Sequence, residues 1–157
     1  MIPQPISEYL EQRRVPYASR HHRRAVSAQQ LAASIHVSGY RVAKVVVVRA
    51  GSSHWLAVLP AAEQVDESQL ARALNVDPHS LRLEGEPEFE KQFTQCELGA
   101  EPPLGGLFGL PVIVDSSLAQ NEKIVFRGGT HEDTVEMRYV DFLALEKPTV
   151  AAFAYRQ

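Results

Sequence analysis

Residues 40–59 read YRVAKVVVVRAGSSHWLAVL. Two runs of β-branched and apolar residues flank a Gly-Ser-Ser turn, and such residues suit a pleated, half-buried surface. The pattern predicts a β-hairpin with strands at 42–49 and 54–59. Side chains alternate between the faces of a strand, so Val42, Val46 and Val48 share a face with Lys44. A lysine among valines either reaches water at a strand end or stands in a pocket wall. On an edge strand the outward lysine is the ordinary case, so the strand alone leaves both readings open.

Working outward, ISEYLEQRR predicts a first helix with Ile6, Tyr9 and Leu10 on one face, ended before Pro16. SAQQLAASI predicts a second, opened by Ser27 with Gln30 in the capping-box position. DESQLARALN predicts a third, opened by Asp66 with Gln69 three residues on. Asp77 and GEPEFEKQF open further short helices, the latter with Phe89 and Phe93 one turn apart. PVIVD, KIVFRGG, TVEMRYV and TVAAFAY predict four more strands, and YVDFLAL a short helix before the last. Helices and strands mix without strict alternation. The expected class is α+β, a mixed, strongly curved, barrel-like β-sheet of about six to seven strands surrounded by short helices.

Length and composition bound the rest. At 157 residues, 1–157 is expected to form one domain, with an ordinary globular share of 45% hydrophobic residues that excludes disorder. The single cysteine, Cys96, excludes an intramolecular disulfide and a cysteine cluster for zinc. No apolar run is long enough for a bilayer and none at the start resembles a signal peptide, so a soluble, cytoplasmic protein is expected. A net charge of −3 argues against a general nucleic-acid binder. Residues 13–24, RRVPYASRHHRR, nevertheless carry no acid. Such a strip fits either a directed phosphate contact, through Arg20, Arg23 and Arg24, or a solvated strand edge kept from pairing.

Residues 97–115, ELGAEPPLGGLFGLPVIVD, are rich in glycine and proline and predict neither helix nor strand before the final PVIVD. Irregular segments of this kind inside compact domains are often functional. Glycines let backbone N–H groups approach a ligand, which a carbonyl- or oxyanion-binding site requires. His131, in FRGGTHEDTVEM, emerges after a glycine turn. Adjacent strand residues face opposite ways, so His131 and Glu132 make a poor chelate and no metal site is expected. No G-x-S-x-G elbow is present, and Ser116 and Ser117 have no assignable base. Cys96 is a candidate thiol nucleophile with His131, or simply a small packed side chain.

Taken together and in order, the lysine of YRVAKVVVVR, the pattern Gly99-x-x-x-Pro103 followed by Gly105, and GGTHEDTVEM are similar to one family. The sequence resembles the YbaK/prolyl-tRNA-synthetase-associated (aminoacyl-tRNA editing) domain family over nearly its whole length. That resemblance implies a free-standing, trans-editing deacylase that hydrolyses the ester of a mischarged tRNA bearing a small amino acid of the Ala, Ser, Thr or Cys class. It needs no cofactor, and an aminoacyl-tRNA synthetase is a further candidate partner. The family's lysine falls on Lys44, its glycine loop on Gly99 to Gly105 and its histidine on His131, which makes Lys44, Gly99 and His131 the expected catalytic positions. Ala100, Glu101, Pro103, Gly105 and Gly106, with Cys96, are the expected substrate-binding residues. Glu101 departs from relatives and would either repel a phosphate or select the substrate's ammonium group. By resemblance the loop amides hold the carbonyl, and a water assisted by the tRNA ribose hydroxyl attacks. The alternative is a non-catalytic nucleotide- or partner-binding module on the same fold.

Overall fold

A computed structural model describes residues 1–84, 93 and 95–156. The helix expected over GEPEFEKQF lies outside these residues, apart from Phe93. The described residues form five α-helices: α1 (Gln4–Gln12), α2 (Ala28–Ser34), α3 (Glu67–Ala73), α4 (Gly105–Phe108) and α5 (Tyr139–Glu146). Ten strands accompany them. They are β1 (Ala18–His21), β2 (Ala43–Ala50), β3 (Ser53–Pro60), β4 (Glu63–Val65), β5 (Leu81–Leu83), β6 (Val112–Asp115), β7 (Lys123–Arg127), β8 (Asp133–Arg138), β9 (Thr149–Ala151) and β10 (Ala154–Arg156).

The hairpin is the centre. β2 and β3 pair antiparallel in full register from Ala43–Pro60 to Ala50–Ser53, within a five-stranded sheet of order β5-β2-β3-β6-β9. β6 and β9 join in parallel, so the sheet is mixed. Its alternation buries both faces. Val47, Leu56, Val58, Val112 and Val114 pack with Phe126 and Phe142, while Val48, Ala57, Leu59 and Ile113 pack with Leu70 and Phe153. Helix α1 closes the first cluster with Ile6, Tyr9 and Leu10, and α3 contributes Leu70 and Ala71 to the second.

The mixed α+β class holds, but the barrel does not. The described strands form three sheets, of five, three (β1-β8-β7) and two (β10-β4) strands, and no ladder among them closes. The cause lies on one edge of β2. There β5 pairs with Val48–Ala50, whereas β7 meets only its approach, through the parallel bridge of Val42 with Val125. The two sheets share a hydrophobic core but are joined there by that one bridge rather than by a ladder.

Two local expectations also change. TVAAFAY is two strands in different sheets, because Asp115 accepts hydrogen bonds from the Phe153 and Ala154 amides and pulls the chain inward there. The glycine- and proline-rich stretch contains one helical turn, α4, ended by Gly109 in the left-handed region (φ 72°) with the Leu110 amide donating to the Gly105 carbonyl. The capping signals read as expected: Ser27 and Gln30 form the full capping box of α2, and Asp66 accepts from the Gln69 amide at α3.

Candidate active site

Lys44 stands near the start of β2, on the face that carries Val46 and Val48 further along. At that end a cavity of about 230 Å³ opens between β2, α2 and the glycine loop. Lys44, Gly99, Glu101 and Arg127 supply its polar lining, with Val26, Leu31 and Val42 among the apolar groups. Among the described residues the Lys44 Nζ makes one weak hydrogen bond, to the Ala61 carbonyl at 3.4 Å. Burial lowers its pKa from the ordinary lysine value, and the charge of Glu63 opposes that shift. An incoming anionic or carbonyl oxygen therefore meets a partly desolvated ammonium.

The loop is held from behind. Gly99 has φ 82°, a left-handed conformation that side chains with a Cβ adopt at a cost. The Glu97 amide donates to the Gly129 carbonyl at 2.8 Å, and the Gly129 amide to the Ala100 carbonyl at 3.0 Å. The loop is thus backbone-paired to the β7–β8 turn. That turn carries His131, which is buried and lies 2.7 Å, through Nε2, from the Leu98 carbonyl. A carbonyl only accepts, so Nε2 carries the proton. The His131 amide donates to Glu97 at 3.2 Å, and Glu97 pairs with Arg24 at 3.0 Å. His131 positions the loop and does not face the cavity.

The expected site residues divide accordingly. Lys44, Gly99 and Glu101 come together at the cavity. Ala100, Pro103 and Gly105 are buried in the packing beneath the loop. The Gly106 amide donates to Glu146 at 2.8 Å, and Glu146 also accepts from the Tyr9 hydroxyl at 2.8 Å, which ties α4 to α1 and α5. Cys96 is half-buried against the core, and burial, with the charge of Glu101, pushes its thiol up to about 11. A thiol so reluctant to ionise is a poor nucleophile. Arg20, Arg23 and Arg24 are exposed, on or just beyond the outer strand of the β1-β8-β7 sheet. Among the described residues no cluster of three His, Cys, Asp or Glu is placed to hold a metal, and no helix is long and apolar enough to cross a membrane.

Arg127 is the residue that sequence reasoning missed. It ends β7, is 6% exposed, and donates through Nη2 to the carbonyls of Val26 and Ser27 at 2.9 and 3.0 Å. It thereby fixes the segment that leads into α2 along the cavity. Its Nη1 has no hydrogen-bond partner among the described residues. A strand ending in Arg-Gly-Gly gives no hint of this, since the partner carbonyls lie about a hundred residues away in the chain.

The site is thus a half-buried lysine and a glycine loop that line one cavity on a mixed sheet. Residues 22–145 match the aminoacyl-tRNA editing domain, and the chain belongs to that family. It is 30% identical over 103 residues to the multifunctional Ser/Thr-tRNA deacylase ProXp-y of Escherichia coli strain K12, covering 65% of this chain. The match spans 60% of that relative's length. Among solved structures, the hypothetical protein APE2540 superposes with a TM-score of 0.86 at 17% identity, over 97% of this chain and all of that one. A candidate trans-editing enzyme for prolyl-tRNA synthetase superposes with a TM-score of 0.81 at 19% identity, over 99% of both chains. At these identities the structures speak for the fold.

Proposed function

We propose that this chain is a trans-editing aminoacyl-tRNA deacylase, acting in the cytoplasm on tRNA mischarged with a small amino acid of the Ala, Ser, Thr or Cys class. The observation that carries the reading is the cavity of about 230 Å³ in which Lys44 faces the Gly99–Glu101 loop. Family membership and the name of the Escherichia coli relative, a Ser/Thr-tRNA deacylase, support it and favour serine and threonine.

An aminoacyl ester is already activated, so positioning and charge stabilisation supply most of the rate. In this reading Lys44 anchors the 3′-terminal nucleotide or the ester carbonyl, and main-chain amides of the glycine loop bind the carbonyl oxygen. Water adds to the carbonyl carbon, the C–O bond to the ribose breaks, and the ribose oxygen keeps the proton that the water loses. The tRNA's own neighbouring hydroxyl assists the water, so no side-chain nucleophile is required. His131 acts at one remove, by holding the Leu98 carbonyl and hence the loop. Arg20 and Arg23, exposed on the basic strip, meet the tRNA backbone.

The test is deacylation of Ala-, Ser-, Thr- and Cys-tRNA, with correctly charged Pro-tRNA as control, by wild type and Lys44→Ala. Hydrolysis of Ser- or Thr-tRNA that Lys44→Ala reduces by about 100-fold or more is the expected result. Intact esters throughout, or a Lys44→Ala variant as fast as wild type, would overturn the reading in favour of a binding module.

A further inference from the structure

Helices α1 and α5 both end at a groove of about 390 Å³, far from Lys44, whose charged lining is Arg13, Arg14, Asp141 and Lys147. Each helix is closed by a cation in a backbone conformation that does not suit it. Arg14, just past the end of α1, has φ 58°, and Lys147, at the end of α5, has φ 46°. Glycine or asparagine usually closes a helix in this left-handed region, because a Cβ is held there at a cost. Both positions nevertheless carry a long cationic side chain, and both side chains lie open on the groove. Among the described residues neither makes an ion pair or a side-chain hydrogen bond. Their neighbours are engaged. Arg13 lies 3.9 Å from the centroid of the Tyr9 ring and donates to the Tyr9 carbonyl at 3.3 Å. Asp141 is held by Arg138 at 3.1 and 3.2 Å, so the groove's acid is already neutralised.

The groove and the Lys44 cavity lie at opposite ends of one edge of the molecule. β1 pairs with β8 from Ala18–Glu136, at the groove end, to His21–Asp133. The chain then reaches Ala25, whose amide donates to the His131 carbonyl at 3.1 Å, and Val26 in the cavity wall. All of β1 is exposed, and Arg20 and Arg23 stand on this path. Pro16 in the groove and Val26 in the cavity are about ten residues apart, which spans at most roughly 35 Å.

We propose that the groove is a second anchor for the tRNA, in which Arg14 and Lys147 take backbone phosphates of the acceptor-stem duplex while the charged 3′ end occupies the Lys44 cavity. The proposal rests on the deacylase reading and deepens it, because it makes the duplex, as well as the ester, part of what is recognised. A duplex carries phosphates at regular intervals, so it can meet the cavity, the exposed β1 edge and the groove at once. Each phosphate neutralised releases counterions and adds affinity that falls with salt. Such contacts position the nucleic acid without reading its sequence, which leaves the choice of amino acid to the cavity.

The experiment compares wild type with the double variant Arg14→Gly/Lys147→Gly on two substrates, full-length Ser-tRNA and the seryl ester of the trinucleotide CCA. Binding of uncharged tRNA is measured alongside, over a range of salt. Glycine suits both turns, so the variant is expected to fold at least as stably as wild type. Its KM for Ser-tRNA is expected to rise about tenfold or more, with kcat kept and the loss confined to the full-length tRNA. The slope of log affinity for uncharged tRNA against log salt is expected to shrink by about two. Arg14→Glu/Lys147→Glu is expected to enlarge the loss. An unchanged KM for Ser-tRNA, or an equal loss on the trinucleotide ester, overturns the proposal. A double variant that loses stability and slows on both esters makes the cations structural and overturns it as well. Weaker binding of uncharged tRNA by the variant, with neither ester hydrolysed by wild type, sustains the anchor and overturns the deacylase reading alone. Absence of both hydrolysis and tRNA binding in wild type overturns both.

Discussion

Two buried carboxylates in this molecule accept backbone amides, and they do so to different ends. Asp115, 3% exposed at the end of β6, accepts from the Phe153 and Ala154 amides through Oδ1, and from the Ser117 amide and hydroxyl through Oδ2. Glu101, nearly as buried, accepts from the Gly99 amide and borders a cavity. The first joins β6, a 3-10 turn and the chain between β9 and β10 into one knot. The second holds a donor beside open space. Burial alone does not separate the two; what lies next to their oxygens does.

The sharpest way to break the comparison is at Asp115. Asp115→Ala leaves the Phe153, Ala154 and Ser117 amides without their acceptor, at about 1–3 kcal/mol each when they stay buried. A loss of at least about 3 kcal/mol in urea unfolding is expected. A loss below about 1 kcal/mol would mean that water replaces the carboxylate and that the knot is not structural.

A smaller effect separates the loop's shape from its chemistry. Gly99→Val forces a β-branched residue into φ 82°, at about 1–2 kcal/mol, and crowds the cavity. The variant is expected to fold and to lose deacylation. Full activity with retained folding would contradict a role for the main chain at this position.

What could be read in the sequence was local. Ser27 with Gln30 and Asp66 with Gln69 announce helix starts because cap and partner lie three residues apart. The hairpin is legible because its register follows from one turn. The failures are all long-range. The barrel was unreadable because closure depends on how β7 approaches β2, which no alternation pattern encodes. The break between β9 and β10 depends on Asp115, far back in the chain. Of the candidate site, Lys44 was visible as an interruption of a valine run and the loop as an excess of glycine and proline. Arg127 was not, since a buried arginine is recognised only by the carbonyls around it.

The smallest effect concerns the brace behind the loop. Glu97 is partly buried, which raises its pKa, but the His131 amide and Arg24 act the other way and hold its carboxyl below the ordinary glutamate value. A folded-state pKa below the unfolded one adds stability that is complete above the unfolded value, about 4.3, and disappears as pH falls through the folded value. Wild type is therefore expected to lose stability between about pH 5 and pH 3 more steeply than Glu97→Gln, so that the two converge in acid. The Arg24 contact is well exposed, so salt should narrow their difference at neutral pH as well. Urea unfolding at pH 7 and pH 3, in low and high salt, measures both effects. Parallel acid profiles would leave the Glu97 bonds without energetic weight. The loop would then rest on its two backbone bonds to Gly129 and on the His131 contact to Leu98. Convergence would mean that the Glu97 bonds to the His131 amide and to Arg24 carry part of the brace that holds the loop.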